Sequence, residues 1–357
     1  MILKFLSVLL GVLYSTNPLA LSVHEIVNGL DHPWALEFLP DRRILITERK
    51  GNLRIIDNGQ MSKPISGLPK ISTGGQGGLL DVAIDPNFSN NKYIYLAYVA
   101  QGSGGVSTEV GRGRLLDTKI TAWQTLFRLT PKTRPHYHFG ARLILDSRYL
   151  YITLGDRGKR GRAQDLEDHA GSVIRLYHDG TIPADNPFVK AKKLKPEIFS
   201  YGHRNIQGAV KDSKTGIIWL HEHGPQGGDE LNLLKKGKNY GWPVITYGKE
   251  YGIGLKIGVG THKHGMEQPT HYWVPSIAPS GMDIYYGKQF PTWNGDILLG
   301  SLKFGLLVRL SINAGTVKET RYLHGKYGRI RDVKVGPDGF VWLLTDKKNG
   351  QLLKIAP

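Results

Sequence analysis

The chain has 357 residues, with 45 glycines, 19 prolines, no cysteine and a formal net charge of +17. Without cysteine it has no disulfide, no thiolate metal centre and no cysteine-linked lipid anchor. Its positive charge suits nucleic acid, a membrane surface or small anions as partners. The basic residues are scattered, however, and runs such as residues 192–193 contain only two lysines. We therefore expect no nucleic-acid partner, and we interpret the charge as a field that attracts anionic small molecules or anionic surfaces.

Residues 1–22 have the pattern of a cleavable secretory signal peptide. Lys4 precedes an apolar segment, residues 5–14, and Ala-Leu-Ser at residues 20–22 is a cleavage site of the small-x-small type. The apolar segment is too short to span a bilayer as a helix. We predict a periplasmic or secreted protein with one domain over residues 23–357. The alternative is a buried N-terminal helix or strand.

The rest of the chain indicates an all-β fold. Amphipathic helical periodicity is scarce, while short apolar runs rich in branched and aromatic side chains recur between turn signals. They include RILITE, YIYLAYV, YLYITLG, GIIWLHE, DILLGSL and FVWLLTD. Each has the length of one strand.

These runs belong to a repeat. An apolar strand, a Pro-Asp turn, a second strand, a Gly turn and a third strand occur near both ends of the chain, at residues 34–57 and 333–355. Weaker copies cover residues 80–99, 142–176, 208–234 and 282–310. Six copies at a spacing of about 50–60 residues predict a six-bladed β-propeller in a single domain. A two-sheet sandwich is the alternative fold.

Residues 200–243 are polar and rich in glycine and histidine, and they enclose the apolar run 216–220. We interpret this run as an inner strand with a functional loop at each end. The first loop, GHRN, offers Arg204 and Asn205 to an anionic or carbonyl-bearing ligand. The second, EHGPQGGDE, combines turn carbonyls with Glu222, Asp229 and Glu230, which suits a hard cation such as calcium.

Other polar segments are expected to converge with these loops on one face of the propeller. Arg204, Lys303, Arg329 and Arg331 together would bind a ligand with several carboxylates. GGQGG contributes Gln76, and HYHFGARL contributes His136, His138 and Arg142. Residues 102–121 and 252–265 are predicted to be loops near the site.

Several long sequence motifs resemble those of a known protein family. They are HPWALEFLPD, GGQGGLLDVAIDPNF, HFGARL, AQDLEDHAGSVIRL, PEIFSYGHRNIQG, EHGPQGGDELNLLKKGKNYGWP, PSIAPSGM and RIRDVKVGPDG. From about residue 27 to its end, the chain resembles the soluble glucose/sorbosone dehydrogenases. These are quinoprotein aldose sugar dehydrogenases that use pyrroloquinoline quinone (PQQ). The family fold is a six-bladed propeller, in agreement with the repeat.

The resemblance also implies roles for individual residues. His138 matches the catalytic base, and Gln76 matches a residue that contacts the sugar. The matches to PQQ-binding positions are Arg204, Asn205, Lys303, Phe304, Gly305, Arg329, Ile330 and Arg331. The carbonyls of Gly224 and Pro225 match those that hold the calcium ion next to PQQ, and Glu230 with the backbone of Tyr240 matches a second calcium site. Tyr137 stands where glucose-oxidising members have an acidic residue, so the preferred sugar stays open.

We therefore expect a PQQ- and calcium-dependent enzyme that oxidises the C1 hydroxyl of aldose sugars to lactones, as a monomer or weak dimer. Its electron acceptor stays open, with an acidic carrier protein and a membrane quinone as the two candidates. Two alternative hypotheses are a calcium-dependent propeller lactonase or hydrolase and a non-catalytic sugar-binding propeller. The second would have lost His138, Arg204 or Lys303, and all three are present.

Overall fold

The computed structural model describes residues 21–357, which form six four-stranded antiparallel sheets. The first three sheets, each given from the central channel outward, are blade 1 (β2 Pro33–Phe38, β3 Ile44–Glu48, β4 Asn52–Asp57, β5 Gln60–Met61), blade 2 (β6 Leu79–Ile84, β7 Tyr93–Gly102, β8 Gly105–Leu116, β9 Lys119–Arg128) and blade 3 (β10 Gly140–Leu145, β11 Tyr149–Leu154, β12 Ser172–Tyr177, β13 Ile198–Tyr201).

The other three sheets are blade 4 (β14 Ile206–Lys211, β15 Ile218–Glu222, β16 Asp229–Leu233, β17 His271–Trp273), blade 5 (β18 Pro279–Ile284, β19 Ile297–Ser301, β20 Leu307–Asn313, β21 Thr316–Tyr322) and blade 6 (β22 Ile330–Val335, β23 Val341–Thr345, β24 Gly350–Ala356, β1 Ser22–Leu30). The helices are short: α1 is Phe88–Asn91, and two 3₁₀ turns cover Arg160–Gln164 and Pro291–Trp293. None of the helices in residues 21–357 is long and apolar enough to cross a membrane.

The inner strands contact one another in a closed ring, β2, β6, β10, β14, β18 and β22. Blade 6 closes the ring because the N-terminal strand β1 pairs with the C-terminal strand β24, from Ser22 opposite Ala356 to Leu30 opposite Gly350. The prediction of a six-bladed β-propeller is confirmed, and the sandwich alternative is wrong. The predicted signal peptide falls almost wholly on residues 1–20, which lie outside the described residues.

The core lies between neighbouring blades. Strands such as β3, β19 and β23 are buried along their whole length, since a blade covers each of their faces. This explains why the second strand of each of these blades has a continuous apolar sequence rather than alternating apolar and polar residues. Such burial stabilises the fold by about 1.5–3 kcal/mol for each large apolar side chain removed from water.

Buried ion pairs link blades 2, 3 and 6 around the channel, and stacking and a hydrogen bond add blade 1. Arg142 lies between Asp81 and Asp332, at 3.2 and 2.9 Å from their carboxylate oxygens, and stacks on the ring of Trp34 at 4.1 Å. Asp332 also accepts the Leu36 amide at 2.9 Å. Arg142 therefore ties inner strands together.

Two predictions about local structure are wrong. The run 216–220 is not an inner strand: β14 is innermost in blade 4, and β15 is the second strand. Because β14 and β15 pair antiparallel, with Ile206 opposite Glu222, the GHRN and EHGPQGGDE loops lie at the same end of the blade. Residues 102–121 are not a loop, since most of them form the long hairpin of β8 and β9 in blade 2.

Candidate active site

The loops that precede the inner strands open onto one face of the propeller, which holds two connected cavities. The inner cavity, of about 190 Å³, lies at the channel entrance, and Gln76, Asn205, Gln207 and Arg331 are in its wall. A wider cavity of about 790 Å³ includes Lys303 and Pro225 in its wall. The two share Ala278, Leu302 and Arg329. Residues from blades 2, 4, 5 and 6 thus meet at one site.

His138 lies beside the inner cavity, immediately before the wall residues Phe139 and Gly140. Its side chain is 15% exposed, and its Nδ1 lies 2.7 Å from the Asp156 carboxylate, which is 1% exposed. Asp156 also accepts hydrogen bonds from the indole of Trp242 at 2.8 Å and the amide of Gly158 at 2.7 Å. An ionised carboxylate only accepts hydrogen bonds, so Nδ1 of His138 carries the proton. Nε2 is then the basic nitrogen.

The electrostatics favour this protonation pattern. Burial lowers the pKa of His138, although Asp156 opposes the effect. Burial on its own would raise the pKa of Asp156, but the hydrogen bonds from His138, Gly158 and Trp242 bring it below its ordinary value. At neutral pH the pair therefore consists of an uncharged imidazole and a carboxylate, the form in which a histidine accepts a proton.

The backbone at His138 is held in an uncommon conformation, with φ of 54°. A left-handed backbone at a non-glycine residue costs about 1–3 kcal/mol. The side chain of Gln76 compensates by accepting the His138 amide at 2.8 Å. Gly155 allows the two loops to approach, since a Cβ there would lie 2.3 Å from the His138 carbonyl oxygen. Gln76 thus positions His138 and also lines the cavity.

Arg204 and Asn205 are both buried, Asn205 in the wall of the inner cavity and Arg204 in the wall of a small cavity in blade 4. Arg204 donates to the His223 carbonyl at 3.0 Å and packs over Trp242, but its buried Nε has no partner among the described residues. Asn205 accepts the Gly140 amide at 3.2 Å, which links blades 3 and 4. A buried guanidinium NH without a partner is costly and marks a place for an external acceptor.

Arg329 and Arg331 share one carboxylate. Both contact the same oxygen of Asp346, at 3.0 and 2.9 Å. Arg331 is buried, lies 3.3 Å from the Gln207 side-chain oxygen, and has an unpartnered Nε among the described residues. Burial on its own would raise the pKa of Asp346, but the two arginines hold it far below its ordinary value. Asp346 therefore offsets part of the positive charge.

Other predicted PQQ ligands differ in their access. Lys303 is exposed in the wider cavity and forms no ion pair among the described residues. Phe304 is 40% exposed and lies under the Lys303 ammonium at 5.0 Å. Gly305 is buried in the turn after them. Ile330 is fully buried in the core, and its carbonyl accepts the Ser280 hydroxyl at 2.7 Å, so the structure does not bring its side chain to the cavity.

Asp229 fixes the turn that contains Gly224. One oxygen accepts the Gly224 amide at 2.9 Å, and the other accepts Ser276 Oγ at 2.6 Å and the amides of Ile277 and Ala278 at 2.9 Å. Each such charge-assisted bond is worth about 1.5–3 kcal/mol. The interpretation of Asp229 as part of a three-acid cation cluster is therefore wrong, because its oxygens are used by the fold. No group of three His, Asp or Glu side chains in residues 21–357 is arranged to hold a metal ion.

The predicted second metal site is a small cavity in blade 4. Glu230, Tyr240 and Gly224 line it, and so does Glu222. Burial raises the pKa of Glu230 to about 8, and the negative charge of Glu222 contributes to this shift. Glu222 is oriented by His203 at 2.9 Å and by the Arg204 amide. Two carboxylates forced together in this way favour a cation between them.

A profile of the glucose/sorbosone dehydrogenase family matches residues 30–354. The chain belongs to this family. It is 45% identical over 348 residues to an aldose sugar dehydrogenase of Escherichia coli, which covers 95% of this chain and 94% of that protein. The crystal structure of the soluble aldose sugar dehydrogenase from E. coli in the apo-form superposes with a TM-score of 0.92, over 95% of this chain and all of that one. A PQQ-bound aldose sugar dehydrogenase from Streptomyces coelicolor has a TM-score of 0.75 at 25% identity, over 95% of this chain and 99% of that one.

Some residues of this dehydrogenase site were not predicted from the sequence. Asp156 follows β11 in the motif TLGDRG. A single acidic residue directly after a buried strand, at the face that holds the site, is the sequence feature that could have identified it. Asp346 follows β23 in the same way, in LLTDKK. Trp242 also contributes, by donating its indole NH to Asp156. The partners of these residues come from other segments, so no local pattern reveals the pairing.

Tyr137 gives this family member an aromatic ring beside the predicted base. The ring is 44% exposed and meets the His138 ring edge-on at 5.0 Å. The Tyr137 carbonyl accepts from Arg157, and the ring packs over Gly158, where a Cβ would lie 2.2 Å from it. A neutral aromatic surface therefore lies beside the predicted base.

Proposed function

We propose that this chain is a PQQ- and calcium-dependent aldose sugar dehydrogenase that oxidises the C1 hydroxyl of aldoses to lactones. The observation that carries the proposal is the His138–Asp156 pair, placed beside a cavity whose wall contains the buried Arg331 and the exposed Arg329. A general base and an anion-binding wall on one site are what oxidation by an anionic quinone cofactor requires. The aldose sugar dehydrogenase relative at 45% identity and the PQQ-bound structural relative support this proposal.

The base chemistry follows from the hydrogen bonds of His138. Nδ1 is held by Asp156, so Nε2 accepts the O1 proton of the sugar. As the imidazole becomes positively charged, the carboxylate of Asp156 stabilises that charge without moving. Trp242 and Gly158 fix the carboxylate in turn, so the ring orientation is set before the sugar arrives. PQQ, when bound, supplies the quinone that takes up the hydride from C1.

The residues present fit PQQ. The buried Nε atoms of Arg204 and Arg331 lack partners among the described residues, and Lys303 presents an unpaired ammonium to the wider cavity. These groups are suited to carboxylates and to quinone oxygens on a flat, anionic molecule. We propose that Arg204, Asn205, Lys303 and the Arg329–Arg331 pair hold the cofactor.

The residues also fit calcium. The carbonyls of Gly224 and Pro225 accept no hydrogen bond from residues 21–357, and hard carbonyl oxygens are typical calcium ligands. We propose that they hold the cofactor calcium and that Glu230, with Glu222 and the backbone of Tyr240, holds a second ion. A cation there would offset both the burial and the repulsion from Glu222 that raise the pKa of Glu230.

We further propose that residues 1–22 are a signal peptide and that the mature enzyme, residues 23–357, works in the periplasm or outside the cell as a monomer or weak dimer. The signal pattern in the sequence supports the export. The electron acceptor is proposed to be an acidic carrier protein or a quinone in an anionic membrane, because the full chain has a net charge of +17, of which the signal peptide holds only Lys4.

A PQQ titration of the metal-supplied apo-protein tests the proposal, with Lys303→Ala as the informative variant. We expect saturable binding to the wild type and binding weaker by about 10- to 100-fold in the variant, since one charge-assisted contact is removed. Lys193→Ala is the matched control, because Lys193 is exposed in a loop and forms no ion pair among the described residues. Absence of PQQ binding to the folded wild type would sink the proposal, and equal affinity of Lys303→Ala would show that the anion site is misplaced.

A further inference from the structure

Exposed apolar side chains concentrate on one segment at the edge of the wider cavity, residues 250–259, which we call the 250–259 tip. Tyr251, Ile253, Leu255 and Val259 are 62, 70, 61 and 59% exposed. Together with Val274, at 61%, they are the most exposed large apolar residues within residues 21–357. Tyr251 and Val274 also line the wider cavity. A contiguous group of this kind marks an interaction surface.

The tip projects away from the propeller. Backbone bonds from the Glu250 amide to the Leu255 carbonyl, at 2.8 Å, and from the Gly254 amide to the Glu250 carbonyl, at 3.0 Å, close it into a hairpin-like turn. A Cβ built on Gly252 or Gly254 would meet no atom within 4 Å. The turn is therefore ordered by its own bonds, and Ile257 anchors its base in a buried cluster with Ala163 and Trp242, while Gly252 and Gly254 face open space.

The charge around the tip is positive. Within residues 247–266 the acidic residue is Glu250, and it is paired with Arg160, whose Nη2 lies 2.7 Å from a Glu250 oxygen. Lys249, Lys256 and Lys263 are exposed and form no ion pair within residues 21–357. Three lysines without an ion pair in the described residues thus lie within or next to the tip in the sequence.

We propose that the 250–259 tip inserts into the headgroup layer of an anionic lipid bilayer and docks the enzyme there. Protruding aliphatic and aromatic side chains surrounded by lysines are the arrangement that binds such surfaces, since the apolar groups enter the acyl boundary and the lysines meet lipid phosphates. A second copy of the chain is disfavoured, because two faces with the same positive charge repel each other. A folded protein partner would need a matching pocket for each protruding side chain. Docking places the mouth of the wider cavity beside the bilayer.

This inference goes beyond the proposed sugar oxidation and does not depend on it, because vesicle binding is measured on the apo-protein without PQQ or sugar. The protein is sedimented with vesicles of phosphatidylcholine alone or of an equimolar mixture with phosphatidylglycerol. The test variant is Ile253→Ser/Leu255→Ser. The matched control is Leu116→Ser/Ile217→Ser, which replaces an exposed side chain at the end of β8 and one immediately before β15, both at the opposite face.

We expect binding to the anionic vesicles, weaker binding as salt is added, and little binding to phosphatidylcholine. Ile253→Ser/Leu255→Ser should lower the partition coefficient about tenfold or more, because two aliphatic side chains no longer enter the bilayer. The control variant should bind like the wild type. Absence of binding at low salt would overturn the proposal, and so would equal binding of the test variant, which would assign the effect to net charge alone. Self-association of the wild type that the test variant abolishes would also overturn it, by showing that a second copy covers the tip.

Discussion

His138→Gln should lower the turnover number of the reconstituted enzyme by about two to four orders of magnitude, the usual contribution of a general base. Glutamine is similar in size and keeps an amide group near Asp156, but it cannot accept a proton at neutral pH. PQQ affinity should stay unchanged, because the proposed cofactor contacts come from blades 4, 5 and 6. Steady-state dye reduction gives the turnover number, and a PQQ titration gives the affinity.

His264→Gln is the control for this change, since His264 is an exposed histidine in the loop after the 250–259 tip. It should leave the turnover number within about twofold of the wild type, as is usual for surface substitutions far from the chemistry. Near-normal turnover in His138→Gln would remove His138 from the role of base. A joint loss of turnover and PQQ affinity would instead indicate a disturbed site.

Asp156→Asn should lower the turnover number by about two orders of magnitude or more, even though Asp156 does not touch the sugar. The asparagine amide can donate to Nδ1, which would place the imidazole proton on Nε2 and remove the basic lone pair from the sugar side. The imidazolium formed during the reaction would also lose its counter-charge. Asp156 is therefore a positioning residue.

A pH profile separates this role from a purely structural one. The base form of His138 is the uncharged form, so the rate falls as the pH drops through the pKa of His138. Asp156 raises that pKa against the effect of burial. Its removal should therefore move the acid limb of kcat/KM to lower pH. Asp117→Asn, in the exposed turn between β8 and β9, should change neither limb nor turnover. If the acid limb of kcat/KM did not move in Asp156→Asn, this result would contradict the pairing of His138 with Asp156.

The propeller could be predicted because each blade repeats one phrase in the sequence. The strand–turn–strand pattern at residues 34–57 and 333–355 lies in blades 1 and 6, and the weaker copies lie in blades 2 to 5. The repeat did not predict how blade 6 is completed, because its strands β1 and β24 come from the two ends of the chain. Nothing local in residues 22–30 specifies a partner more than 300 residues away.

The error over residues 216–220 has a simple physical cause. A strand that is buried on both faces has the same apolar pattern whether it is first or second in its blade. Only the pairing of β14 with β15 shows that GHRN and EHGPQGGDE share one end. The hairpin of β8 and β9 was missed for a related reason: its glycines and polar residues resemble a loop, although Gly111 and Gly113 lie under the ring of Trp123 in a paired strand.

Several candidate residues of the site could be named from the sequence, but their hydrogen-bond partners could not. His138, Gln76, Arg204 and Lys303 stood out by type and by phrase. What each one bonds to did not, since Asp156 and Asp346 reach their partners only through the folded loops. Hydrogen bonds between distant segments decide protonation and net charge at the site, and sequence spacing does not encode them.

Aldose oxidation by the reconstituted apo-protein is the measurement that tests the central claim most directly. The metal-free apo-protein receives PQQ, calcium, both or neither, and dye reduction is followed with a panel of aldoses. We predict turnover only when PQQ and calcium are both present, and loss of turnover when calcium is chelated. The melting temperature should be lower without calcium, because an ion that binds only the native state stabilises that state. Turnover without PQQ, or none with both additions while the fold is intact and PQQ is bound, would contradict the central claim.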